Sequence, residues 1–146
     1  MKQIVFLFLV FAFLSCEQEN YITEPLNIRE IGFSECDNDS TVSSCLLLQA
    51  IDDSYLLINH QKTMFCCGTE EIDIRIENRN DTIVIHEIDL GPYTWCYCWH
   101  DITFKIGPFK SKQYTMQLIG CETSYNRDSI LIDFQYSDNL FFLICK

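Results

Sequence analysis

From residue 45 to the end of the chain, apolar side chains recur at every second position and almost never at helical spacing. Residues 71–77 (EIDIRIE) are the clearest case, with Ile72, Ile74 and Ile76 in one set and Glu71, Asp73, Arg75 and Glu77 in the other. Successive side chains of a strand leave opposite faces, so this spacing specifies a strand with one face in a core and one in water. Residues 82–89 (TIVIHEID) follow a polar turn at 78–81 (NRND) and set Ile83, Ile85 and Glu87 together, so the two segments read as an antiparallel hairpin. Further strands are expected at 28–33, 45–50, 55–59, 101–107, 113–120, 129–136 and 140–144, with Asp52, Asp53 and Ser54 as a hairpin turn. No intervening segment is long and apolar enough for the crossover helix that parallel neighbours usually need. The expected fold is all-β: a disulfide-stapled, mostly antiparallel sandwich of eight or nine strands with immunoglobulin-like topology, a small barrel being the alternative.

The first residues have a different logic. Lys2 precedes eleven consecutive apolar residues, 4–14, and then Ser15 and Cys16. Eleven helical residues rise only about 16 Å against roughly 30 Å of bilayer hydrocarbon, so the run fits a signal-peptide core and not a span. A small residue followed by cysteine is the ending of a lipoprotein signal. The expected division is a signal peptide at 1–15, a lipidated Cys16 with a polar tether at 16–27, and one domain at 28–146. The expected place is the cell envelope at the outer membrane, held through lipid on Cys16; ordinary secretion, with Cys16 in a disulfide or removed, is the alternative. Ten Lys and Arg against 21 Asp and Glu give a formal charge of −11, which excludes a phosphate backbone as a natural partner.

Nine cysteines less Cys16 leave eight: Cys36, Cys45, Cys66, Cys67, Cys96, Cys98, Cys121 and Cys145. In an exported chain an even number favours disulfides, here up to four, and eight cysteines allow 105 complete pairings. On a strand Cys66 and Cys67 point apart while Cys96 and Cys98 point together, so one link between the two pairs is expected. Cys36 with Cys45 and Cys121 with Cys145 are the simplest remaining pairings. The competing chemistry is zinc on Cys66, Cys67, Cys96, Cys98 and His100, but neither CC nor CxC has the usual finger spacing, and no metal or cofactor is expected. A redox site of thioredoxin type lacks its CxxC.

Residues 95–101 (WCYCWHD) are the densest feature. In an extended chain Trp95, Tyr97 and Trp99 leave one face, and Cys96, Cys98 and His100 leave the other. One reading makes one side core and the other disulfide; a second makes the rings a platform for a sugar or a hydrophobic partner. His100 and Asp101 are neighbours that diverge on a strand, so they do not form a catalytic dyad. Asp73, Glu87, Asp89 and Asp101 are the carboxylates that a hydrolase would have to pair across a cleft. Asp37, Asp39, Asp52 and Asp53 read as solvated turn residues, since no DxDxDG calcium loop is present.

The lipobox-like LSC and above all CYCWHDITFKIGPFKSKQYTMQLI, with Cys96, Cys98, Asp101, Phe104 and Tyr114, make the chain resemble small Bacteroides-type lipoproteins of anaerobic Gram-negative bacteria. The likeness covers residues 60–120 and implies an envelope location and an immunoglobulin-like sandwich, leaving activity open. The expected function is that of a non-enzymatic, lipid-anchored accessory or binding module whose partner is a glycan or an envelope protein. A small extracytoplasmic hydrolase acting on glycan or peptide and a purely structural envelope module are the alternatives.

Overall fold

The computed structural model describes residues 25–39, 41, 43–79, 82–120 and 129–145. The signal segment, Cys16, all of the tether before residue 25, and Cys121 lie outside the described residues. Within them the chain forms nine strands: β1 (Asn27–Phe33), β2 (Cys45–Ile51), β3 (Tyr55–Cys66), β4 (Ile72–Arg79), β5 (Thr82–Asp89), β6 (Tyr97–Gly107), β7 (Gln113–Ile119), β8 (Ser129–Gln135) and β9 (Phe141–Cys145). They lie in two sheets, of order β1-β6-β3-β2-β9 and β4-β5-β7-β8. The expected all-β, two-sheet, mostly antiparallel architecture is what forms.

Alternation places the core. Ile83, Ile85, Met116, Leu118, Ile130, Ile132 and Phe134 from the four-stranded sheet meet Leu46, Leu48, Leu56, Ile58, Ile102, Phe104 and Ile106 from the five-stranded one, all buried. Each such side chain contributes roughly 1.5–3 kcal/mol by leaving water. Phe109 and Tyr136 close one end, their rings stacked with centroids 5.2 Å apart.

Several local features depart from the simplest reading. β4 runs on to Arg79, which pairs with Thr82, so Asn78 and Arg79 belong to the strand and not to the turn. β5 and β7 are parallel. The return between them is made by β6 in the opposite sheet, which removes the need for a crossover helix. β3 continues seven residues past the expected end through a bulge between His60 and Thr63, where Lys62 has φ of 54°. The bulge inserts one residue and so reverses which parity faces inward: Leu56, Ile58 and His60 are buried before it, Thr63 and Phe65 after it. The backbone N–H of Lys62 donates to Asp101 Oδ1 at 2.9 Å, and its Nζ pairs with Asp37. That pairing holds the Asp37 carboxyl below and the Lys62 ammonium above their ordinary pKa values.

Three disulfides form among the described residues. Cys45 pairs with Cys145, because the β2–β9 register sets the two directly opposite with Cα atoms 4.1 Å apart. Cys36 pairs with Cys98, because an isolated bridge between Asp37 and Trp99 lays the segment after β1 beside β6. These replace the expected Cys36–Cys45 and Cys121–Cys145 links. Cys67 pairs with Cys96, joining the CC pair to the CxC stretch, and Cys66 stays free and buried.

Candidate functional site

Between β5 and β6 the chain makes a short loop that presents aromatic rings to solvent. Trp95 is 89% exposed, Tyr93 60% and Leu90 50%. The Tyr93 and Trp95 rings meet edge to face with centroids 5.8 Å apart, and the hydroxyls of Tyr93 and Tyr97 lie 3.3 Å from each other. Tyr97 and Trp99 are half-buried on the outer face of β6, whereas Cys98 and His100 are buried on the inner one. Strand alternation thus separates the two sets as expected, except that Trp95 precedes the strand and stands on the loop, where it is freer than either ring on β6.

The base of this loop is tied down. Asp89 at the end of β5 accepts the Gly91 N–H at 2.8 Å, and its other oxygen lies 2.7 Å from the Thr69 hydroxyl. A Cβ on Gly91 would stand 2.8 Å from the Gly68 carbonyl oxygen, so the close approach of the two loops requires glycine there. The Cys67–Cys96 disulfide and the Cys67 N–H donated to Cys96 O at 3.1 Å fix the other end. Exposed rings on a clamped loop offer contact area at little ordering cost.

Beneath the loop the sulfur atoms of Cys36, Cys67 and Cys98 lie within 4.8 Å of one another. His100, 2% exposed, sets its Nε2 3.3 Å from Cys98 Sγ and its Nδ1 2.8 Å from the Ser34 carbonyl oxygen. The ring is flanked edge-on by Phe33 and Phe65, with centroids 5.8 and 6.0 Å away. Of the four sulfurs in the sequence-based zinc set, only Cys67 and Cys98 are in this cluster: Cys66 pairs with Tyr97 on the opposite face of the sheet from Cys98, Cys96 is also outside the group, and Cys36 supplies the third sulfur.

A second polar group crosses the core. His60 on β3 donates from Nδ1 to the Glu87 carboxylate on β5, with the oxygens at 2.9 and 3.0 Å. Glu87 is 2% exposed and His60 6%. At the rim, the Ser44 hydroxyl lies 3.4 Å from His60 Nε2 and 3.1 Å from the Gln61 carbonyl oxygen, so its one proton has two acceptors within reach. The remaining candidate carboxylates are dispersed: Asp73 holds Arg75 at 2.9 Å, Asp89 orders the aromatic loop, and Asp101 caps the Lys62 bulge. Asp39 binds Thr41 at 2.6 Å and its carboxyl is held below the ordinary pKa by that hydroxyl. An open hollow of about 450 Å³ lies at the far end of β6, lined by Arg29, Glu30, Asp52, Asp53, Tyr55 and Lys105. Its cations are already engaged, Lys105 with Glu30 and Arg29 over the Tyr55 ring at 4.4 Å.

Compared with protein-family models, curated proteins and solved structures, the chain matches none.

Tyr93 and the Ser44–His60 contact are the site residues that sequence reasoning missed. Gly91 and Pro92 ahead of Tyr93 signal a turn that would lift a ring off the sheet. Ser44 and His60 carry no such signal, because they are 16 residues apart and meet only through the β2–β3 register.

Proposed function

We propose that this chain is a lipid-anchored, non-enzymatic binding module of the cell envelope, an immunoglobulin-like sandwich that meets its ligand through Tyr93, Trp95 and the outer ring of Trp99. The observation that carries the reading is Trp95, 89% exposed beside Tyr93 on a loop whose two ends are clamped. A large ring held in water costs solvation free energy and is a frequent anchor in binding sites. The charge of −11 turns the ligand class away from polyanions and toward neutral glycans or apolar segments of other envelope proteins. The anchor rests on the sequence of residues 1–16, and no helix among the described residues is long and apolar enough to cross a membrane.

On a glycan and peptide array, binding should fall about tenfold or more in Trp95→Ala, equivalent to about 1.4 kcal/mol, with a smaller loss in Tyr93→Ala. Unchanged binding in folded variants would remove this surface. Labelled palmitate should enter the wild type and not Cys16→Ser; absence of label from both would remove the anchor.

The line Ser44, His60, Glu87 favours a second reading, acyl hydrolysis of a peptide or ester. The order is that of nucleophile, general base and orienting carboxylate. Ser44 would give up its Gln61 contact, attack the acyl carbon and pass its proton to His60 Nε2; the substrate C–O or C–N bond would break as His60 returns that proton to the leaving alcohol or amine, and a water deprotonated by His60 would then cleave the acyl–Ser44 ester and restore the hydroxyl. A fluorophosphonate probe should label the wild type and not Ser44→Ala under this reading; an unlabelled wild type leaves the three residues as a structural tie.

A further inference from the structure

The Cys98–His100 contact is chemically incomplete. A main-chain carbonyl only accepts, so the 2.8 Å contact with Ser34 O places the ring proton on Nδ1 and leaves Nε2 of the neutral imidazole with a bare lone pair. At 3.3 Å that lone pair faces Cys98 Sγ, which as a disulfide sulfur has no proton to offer. Nε2 is therefore an acceptor facing a disulfide sulfur that carries no proton, on a side chain 2% exposed. Such a group is costly unless something supplies what it lacks.

We propose that, when the Cys36–Cys98 and Cys67–Cys96 disulfides are reduced, Cys36, Cys67, Cys98 and His100 close around one zinc ion. Three thiolates and one imidazole are an established ligand set for tetrahedral zinc. Zn–S bonds of about 2.3 Å and a Zn–N bond of about 2.0 Å place tetrahedral sulfurs about 3.8 Å apart and nitrogen about 3.5 Å from sulfur. The three sulfurs lie within 4.8 Å of one another, about 1 Å from tetrahedral spacing, and His100 Nε2 lies 3.3 Å from the Cys98 sulfur, so closure has to bring Cys36 and Cys67 toward the ring. Cys98 and His100 are two residues apart on the inner face of β6, whereas Cys36 and Cys67 lie on connecting segments outside the named strands. Ser34 O holds the ring as a second-shell acceptor holds a zinc-bound histidine.

The chemistry balances. Each disulfide takes up two electrons and two protons, either from a dithiol that closes to its own disulfide or from a phosphine and water, the phosphine taking the water oxygen to become its oxide and the water protons completing the two thiols. Zinc then displaces the thiol protons of Cys36, Cys67 and Cys98 to solvent, and Cys96 remains a thiol. Disulfide and metal are mutually exclusive uses of the same sulfurs.

The test is to reduce the full domain with a phosphine under nitrogen, add zinc or cobalt, desalt, and measure bound metal, the visible spectrum and the strand circular dichroism together. About one metal per chain is expected, with thiolate-to-cobalt charge-transfer bands and tetrahedral ligand-field bands. Affinity should fall at least about tenfold in His100→Ala and about a hundredfold in Cys98→Ser, and stay unchanged in Cys66→Ser and in Cys45→Ser/Cys145→Ser. Should the reduced apo chain lose its strand signal, one equivalent of zinc is expected to restore it. No retained metal, uptake by an unfolded chain without recovery of strand, or equal affinity in Cys98→Ser and His100→Ala would each overturn the proposal.

Discussion

Removing the Cys45–Cys145 link, as Cys45→Ser/Cys145→Ser, is expected to cost the domain about 4–5 kcal/mol. The bond closes a loop of sequence separation 100, and the chain-entropy relation gives about 4.7 kcal/mol for a loop of that size. Folded-state geometry points the same way, since β9 is an edge strand whose sheet pairing is to β2 alone, with Phe141 and Leu143 in water. Domains of this size hold about 5–15 kcal/mol in all, so the loss is a large share of the total. Urea unfolding without reductant is the measurement. The double variant should unfold well below the wild type, and Cys67→Ser/Cys96→Ser, closing a separation of only 29, should lose about 1 kcal/mol less. A loss under about 1 kcal/mol for the β2–β9 link would show that the unfolded chain already keeps these strands together.

Glu87→Ala should also be damaging, at about 1–3 kcal/mol, because it strands His60 between the sheets with no acceptor for its Nδ1–H. The two residues sit on facing sheets, β3 and β5, both almost without exposure. Glu87→Gln keeps one acceptor and should lose less. The double variant His60→Leu/Glu87→Leu should recover most of the stability, since a buried pair replaced by apolar groups of similar volume is often neutral. A double-mutant cycle by chemical denaturation reads the coupling directly; additive single losses would mean that the two side chains do not depend on each other.

Glu87 illustrates how far alternation alone reaches. Its place in the set with Ile83 and Ile85 follows from counting by two, and that parity puts a carboxylate on an inner face. Its partner was hidden, because His60 lies just beyond the expected end of its strand and across a gap between sheets. The Lys62 bulge was equally hidden: a one-residue insertion leaves both flanking segments alternating correctly and only shifts one against the other. The expected link between the CC pair and the CxC stretch formed, whereas the Cys36–Cys45 and Cys121–Cys145 pairings failed for the same reason in the opposite direction. Parity says which face a sulfur leaves by, but Cys45 finds Cys145, and Cys36 finds Cys98, through strand neighbours that periodicity does not specify. The aromatic loop is half legible: the sequence marks Trp95, Tyr97 and Trp99, but strand spacing takes Trp95 for part of β6 and gives Tyr93 no distinction.

The Cys36–Cys98 bond also determines how the domain bears tension. Consider a pull between residue 25 and a molecule gripping Trp95. Load enters through β1, whose pairing with β6 can peel, and arrives at Cys36. There it crosses a covalent bond to Cys98, three residues from Trp95, and bypasses every strand from β2 to β5. Strands β2 to β5 lie outside that path, so a pull on the aromatic loop is borne by β1, the Cys36–Cys98 bond and residues 95–98.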